Sequence, residues 1–190
     1  MINKYPDTLM AQKSDGTADY ILMDRATHEL AVIHHQHRMV HSGITFRYSD
    51  AVTIASAGTQ DYLVTTPNTT KWCHFNFTVD GTAVTTLSVY EGSDKTGTTS
   101  QTLWNANRNS GTTATATVHK GTSGGTTDGT LMINYSSGTA TNQSRSPANL
   151  ESSEEWILKQ NTKYIFRTTS GTAGNLCNIY LSWYEMVSLT

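Results

Sequence analysis

Residues 175–186 read Asn-Leu-Cys-Asn-Ile-Tyr-Leu-Ser-Trp-Tyr-Glu-Met. On an extended backbone, Cys177, Ile179, Leu181 and Trp183 fall on one side, and Asn178, Tyr180, Ser182 and Tyr184 on the other. A period of two is what a β-strand with one buried face requires. Residues 154–167 read as two further strands joined by a Lys159-Gln160-Asn161-Thr162 turn, and a second turn at 169–174 leads into the last strand. This is the largest block of apolar area in a polar chain. The core is therefore expected to be laid around it.

The rest of the composition narrows the class. Only 36% of the 190 residues are hydrophobic, where ordinary domains carry about 45–50%. Only 15% are charged, against about 25%. Thr, Ser, Gly and Asn fill the gap; Thr suits strands, and the other three suit turns. An all-β protein with long polar loops follows. The length favours one domain with an extended arm. A net charge of −2 without a Lys/Arg cluster argues against nucleic acid as a partner. No run of about 18 apolar residues is present, so no membrane span is expected. The first residues lack the apolar core of a signal peptide, which favours a cytosol-like site of synthesis. Cys73 and Cys177 each fall on the apolar face of a predicted strand. Buried free thiols are expected, with a disulfide between neighbouring strands as the alternative; the spacing carries no zinc signature.

Taken in order, residues 1–19 show no periodicity and read as an arm that orders on a partner. Short strands at 20–23 and 29–33, around a turn at 24–27, extend this arm to residue 40. The period of 33–43 is ambiguous. A helix would put His34, His37 and His41 on one face; a strand would align His35, His37, Met39 and His41. The main domain, 41–190, opens with a strand at 44–48, followed by short strands at 51–55 and 62–65. In 71–79, Cys73, Phe75, Phe77 and Val79 alternate with Trp72, His74, Asn76 and Thr78. Asp80-Gly81 reads as a hairpin turn into a returning strand at 82–90. Residues 103–109 form a short polar segment with one Trp, and 112–120 alternate Thr with Ala or Val as a strand does. A strand at 130–135 lies between Gly/Ser/Thr-rich stretches at 121–129 and 136–148, which form a candidate contact surface. Short strands at short spacing, with no helix of convincing length, give a single β-sandwich, jelly-roll-like, behind an extended N-terminal arm.

Each candidate for chemistry meets a blander reading. His28, His34, His35, His37 and His41 crowd into fourteen positions. Imidazoles in reach of one another bind zinc, nickel or copper. No Cys is near and no known ligand spacing matches, so structural or interfacial histidines are expected and no metal. Ser42-Gly43 after His41 is not a nucleophile elbow. Glu154 and Glu155 are adjacent and point to opposite faces of a strand, unlike a glycosidase pair. The stretch Gly121-Thr122-Ser123-Gly124-Gly125-Thr126 lacks the Lys of a phosphate loop. No catalytic constellation and no cofactor are expected. Trp72, Trp104, Trp156 and Trp183 suit either core packing or stacking on sugar rings.

Several blocks carry a resemblance. They are His34-His35 through His41-Ser42-Gly43 to Phe46, Val89-Tyr90-Glu91-Gly92, and Asn107-Arg108. The strongest come last: Glu155-Trp156-Ile157-Leu158-Lys159 with Asn161-Thr162-Lys163-Tyr164, then Ile179-Tyr180-Leu181-Ser182-Trp183-Tyr184-Glu185. Spread over residues 34–186, they resemble a family of small tailed-bacteriophage structural proteins, several of which are capsid decoration (cement) proteins. The chain departs from that family near Gln160, where relatives carry Pro, and a looser turn is expected there. The resemblance implies a virion β-sandwich, often a homotrimer, on the outer surface of the head shell. It would stabilise the shell by bridging major capsid protein subunits, with no membrane or nucleic-acid partner. Capsid contact is then expected from the arm and the adjacent histidines: Tyr5, Leu9, Tyr20, His34, His35, His37 and His41. The alternative is a tail- or fibre-associated module that binds host-surface glycan through the loops at 121–148 and the exposed aromatics.

Overall fold

A computed structural model describes residues 10–12, 18–20, 35–138, 150–151 and 155–187. The chain divides into two compact units, Met1–Arg38 and Met39–Thr190. In the first, β1 (Met10–Gln12) and β2 (Ala18–Tyr20) pair antiparallel, with Met10 opposite Tyr20. A hairpin therefore stands where the sequence reads as patternless arm. Three-residue strands joined through their backbones need no side-chain alternation, so no period announces them. The strands expected at 20–23 and 29–33 fall, beyond Tyr20, outside the described residues. Among the described residues there is one helical stretch, α1 (His35–His41).

The second unit is a sandwich of two antiparallel sheets, as the alternation predicts. One sheet has the order β11 (Leu150–Glu151), β5 (Lys71–Gly81), β14 (Asn175–Val187), β3 (Thr45–Ile54), β8 (Trp104–Asn105), with β12 (Trp156–Leu158) also on β5. The other has the order β10 (Thr130–Ser137), β6 (Thr85–Glu91), β13 (Lys163–Ser170), β4 (Thr59–Thr65), β9 (Thr117–Ser123), β7 (Thr96–Ser100). The segments expected at 44–48 and 51–55 are one continuous strand, β3.

Aromatic rings join the sheets. Trp183 stacks on Phe75 at 5.3 Å between centroids and sits 6.0 Å from Phe46. Phe166, from the opposite sheet, lies 5.5 Å from Phe75 and 5.3 Å from Phe77. All five rings are buried. Such pairs add about 0.5–1.5 kcal/mol each to the area they bury. The strongest-patterned strands thus form the core, as expected.

Two connections differ from the sequence reading. Asp80-Gly81 is not a hairpin turn: β5 continues to Gly81 on β14, and β6 belongs to the other sheet. Asn175 holds this corner. Its Oδ1 accepts from the Ala83 amide at 2.9 Å, and its Nδ2 donates to the Val84 carbonyl and to Thr85 Oγ1, both at 3.0 Å. Thr85 Oγ1 sits so close to Gly81 that a Cβ there would collide with it. Gly81 is therefore a close-approach position, which sequence cannot tell from a turn glycine.

Residues 112–116, expected within a strand, are a loop held by Glu185. The Glu185 carboxylate is 2% exposed. It accepts from the Thr115 amide at 3.0 Å, the Ala116 amide at 2.9 Å, Trp183 Nε1 at 3.1 Å, and the Thr115 hydroxyl. The loop's N–H groups go to a side chain, so β9 begins only at Thr117.

The turn at Gln160 is not loose. Gln160 Nε2 donates to the carbonyls of Thr69 and, at 2.9 Å, Lys71. Thr66 Oγ1 donates to the Lys159 carbonyl at 2.6 Å and accepts from the Thr162 amide at 2.9 Å. Both thiols are free and buried. They lie on neighbouring strands, but Cys73 is opposite Glu185 and Cys177 opposite Gly81. That offset of eight residues, roughly 27 Å, forbids a bridge. Burial, then the nearby Glu185, pushes the Cys73 thiol up to about 12.

Glu185→Ala should leave the Trp183 indole and two backbone amides without their buried acceptor. A loss of about 3 kcal/mol or more is expected, read as the shift in a urea unfolding transition. A loss below about 1 kcal/mol would mean that water replaces the carboxylate.

Candidate functional site

Of the residues expected to contact a partner, Tyr5, Leu9 and His34 lie outside the described residues, as does His28. Tyr20 ends β2. His35, His37 and His41 lie exposed on α1, so the helical reading of this stretch holds and the strand reading does not. His37 and His41, four apart, share a face of the helix. Met39 is its buried residue. The helix ends at Gly43, whose φ of +69° suits glycine and whose amide returns to the Val40 carbonyl at 3.0 Å. Among the described residues, no group of three His, Cys, Asp or Glu is placed to hold a metal ion. No helix of the described residues is long and apolar enough to cross a membrane.

The Gly/Thr-rich stretch offered as a contact surface divides in two. Residues 121–123 belong to β9. Residues 124–129 are tied down: Asp94 accepts from the amides of Thr126, at 2.9 Å, and Thr127, at 3.0 Å, and from the Thr126 hydroxyl. Asp128 meets Arg167 at 2.7 Å and Lys95 at 3.1 Å. Arg167 also grips Asp61 in a two-pronged pair at 2.7 and 2.9 Å. Its own charge is strengthened by Asp61 first and Asp128 second. Residues 139–149 lie outside the described residues.

The four tryptophans separate. Trp183 is core, and Trp156 is half-buried 6.2 Å from Phe77. Trp72 and Trp104 are exposed, Trp104 by 54%. Trp104 does not stand alone. On β8 it is opposite Arg47 of β3; Ser49, two residues on, is opposite Tyr180 of β14. Register alone thus puts Tyr180, Ser49, Arg47 and Trp104 on one outer face. They line a shallow groove of about 320 Å³ together with Asn105 and Arg108. The Arg108 guanidinium lies 4.8 Å over the Trp104 ring, a cation–π contact. Among the described residues, no carboxylate lines the groove.

Asparagines hold this arrangement. Asn105 is buried. Its Nδ2 donates to the Gly43 carbonyl at 2.7 Å and the Thr112 carbonyl at 3.0 Å, and its Oδ1 accepts from the Asn107 amide at 2.8 Å. Asn107 Oδ1 accepts from the Asn109 amide, and its Nδ2 donates to the His41 carbonyl at 3.2 Å. The loop carrying Arg108 is thereby pinned to the end of α1. Sequence reading offered Trp104 for stacking on sugar rings but did not join it to Arg47, Ser49, Arg108 and Tyr180, because these parts are scattered.

Comparison with family models, with curated proteins and with solved structures returned no match.

The clamp on residues 124–129 has a pH signature. Backbone amides of Thr126 and Thr127 hold the Asp94 carboxyl below its usual range, and Arg167, then Lys95, does the same for Asp128. A depressed carboxyl stabilises the fold above its ordinary value of about 3.9 and loses that effect as pH falls through the lowered values. Amide-exchange protection at Thr126 and Thr127 should therefore hold from pH 7 to about 5 and fall below about 4. Unchanged protection at pH 2 would contradict the clamp.

Proposed function

We propose that this chain is a capsid decoration protein of a tailed bacteriophage. It attaches to the outside of the head shell and stabilises it by bridging major capsid protein subunits. The observation that carries this reading is the resemblance of the closing blocks, 155–164 and 179–185. Those blocks coincide with β12, the Gln160 turn and β14, the parts that position the core. A shared scaffold with diverged surfaces is what a family of structural proteins would keep.

The role is mechanical. A sandwich closed by aromatic rings and buried hydrogen bonds transmits load without deforming. The separate unit Met1–Arg38 supplies the attachment, with Tyr20, His35 and His37 among its contacts and His41 just beyond it. Several weak attachments on one particle add through effective concentration. Three copies would associate as a homotrimer. β10 supports that association: among the described strands it lies at the edge of its sheet, it is free of charged residues, and it exposes Leu131, Met132 and Tyr135. An uncharged apolar edge strand invites pairing with another copy.

Two measurements follow. Removing residues 1–34 should leave a folded domain, with its circular dichroism intact, that no longer sediments with purified capsids. Undiminished sedimentation would remove the arm from the mechanism. Leu131→Lys with Tyr135→Lys should lower the mass seen by light scattering from trimer to monomer without unfolding the domain. A native mass that stays at trimer would place the subunit contact elsewhere.

A further inference from the structure

We infer that the groove between Tyr180 and Trp104 binds a carboxylated sugar. The inference does not depend on where on a particle the protein sits.

The two aromatic side chains stand on β14 and β8, two strands apart. That separation is roughly 10 Å, wide enough for sugar rings to lie across the sheet between them. Both are open to solvent, 39% for Tyr180 and 54% for Trp104. Exposed rings on a sheet bind the C–H faces of sugars by apolar contact at little entropic cost, since the rings have few torsions to freeze. Arg47, Ser49 and Arg108 line the groove beside them. The volume of about 320 Å³ lies at the small end of ligand sites and suits a short oligosaccharide.

Charge selects the class of sugar. Two guanidinium groups face a groove that, among the described residues, no Asp or Glu lines. Among the described residues, neither Arg47 nor Arg108 forms an ion pair, whereas Arg167 on the other sheet is held by two carboxylates. The Arg108 guanidinium carbon lies 4.8 Å over the Trp104 ring, and a cation–π contact of this kind does not use up the N–H donors with which a guanidinium takes a carboxylate two-pronged. Neutral sugars would use the rings and leave both charges unanswered. An acidic peptide would answer the charges, yet β8 offers only two residues of strand edge, too few for an added peptide strand. The site is preorganised, since Asn105 and Asn107 fix the loop through backbone bonds.

Titrating the full-length protein with sialyllactose and trigalacturonic acid tests this, with lactose and a neutral galactan trisaccharide as controls. Tryptophan fluorescence and amide chemical shifts give the readout. The acidic sugars should shift the amides of residues 47–49, 104–108 and 180, and bind at least about tenfold more tightly than their neutral counterparts. Arg47→Gln and Arg108→Gln should each remove about that factor. Trp104→Ala should abolish binding while the unfolding midpoint stays unchanged, because the ring is at the surface. Equal affinity for acidic and neutral sugars, no binding by any of them, or binding that survives Trp104→Ala would each overturn the inference. So would tighter binding of an Asp/Glu-rich peptide, which would make the groove a protein-docking site.

Discussion

A carboxylate shut away from water fixes the longest strand to the loop that follows the groove. Burying an ionised group costs several kcal/mol, offset only if its oxygens are fully satisfied. Glu185 meets that condition with donors from the backbone and side chain of Thr115, the Ala116 amide and the Trp183 indole. The consequences spread outward. Trp183 is oriented for its stack on Phe75. Residues 112–116 are drawn in, and the Thr112 carbonyl becomes the acceptor that, with Gly43, holds Asn105. Asn105 sets β8 beside β3, and that pairing puts Trp104 opposite Arg47. One buried charge thus ties the aromatic core to the position of a surface site.

The molecule separates holding from contact. Its inner faces carry the rings of Phe46, Phe75, Phe77, Phe166 and Trp183, whose truncation should destabilise the fold. Its outer surfaces carry features the core does not need: the imidazoles of α1, the uncharged edge of β10, and the paired arginines beside Trp104. Decoration would use the first two for attachment and association. The third would give a decorating protein a second task, engaging acidic glycans. Changes in each surface should leave the sandwich intact, so fold and function can be tested apart.

Much of the sandwich was legible because burial on one face writes a period of two into the sequence. Cys73 to Val79 and Cys177 to Trp183 are the clearest cases, and both are core strands. Connectivity was not legible in the same way. Asp80-Gly81 has the composition of a hairpin turn, and only the pairing of β5 with β14 up to Gly81, with β6 in the other sheet, shows it to be a corner between sheets. Residues 112–116 alternate like a strand, yet their amides answer a carboxylate seventy residues away. β1 and β2 were missed because backbone pairing alone imposes no pattern. The groove was the least legible feature. It depends on the register of three strands that are remote in sequence, and no local motif encodes a register.

The proposed role requires attachment to the outside of a phage head. The most direct measurement is an electron cryomicroscopy map of the assembled particle that carries this protein. The predicted result is density that fits the two-sheet domain on the outer shell, in trimers, with the N-terminal unit laid against neighbouring capsid subunits. Density for the domain on the tail or a fibre, with a bare shell, would contradict it.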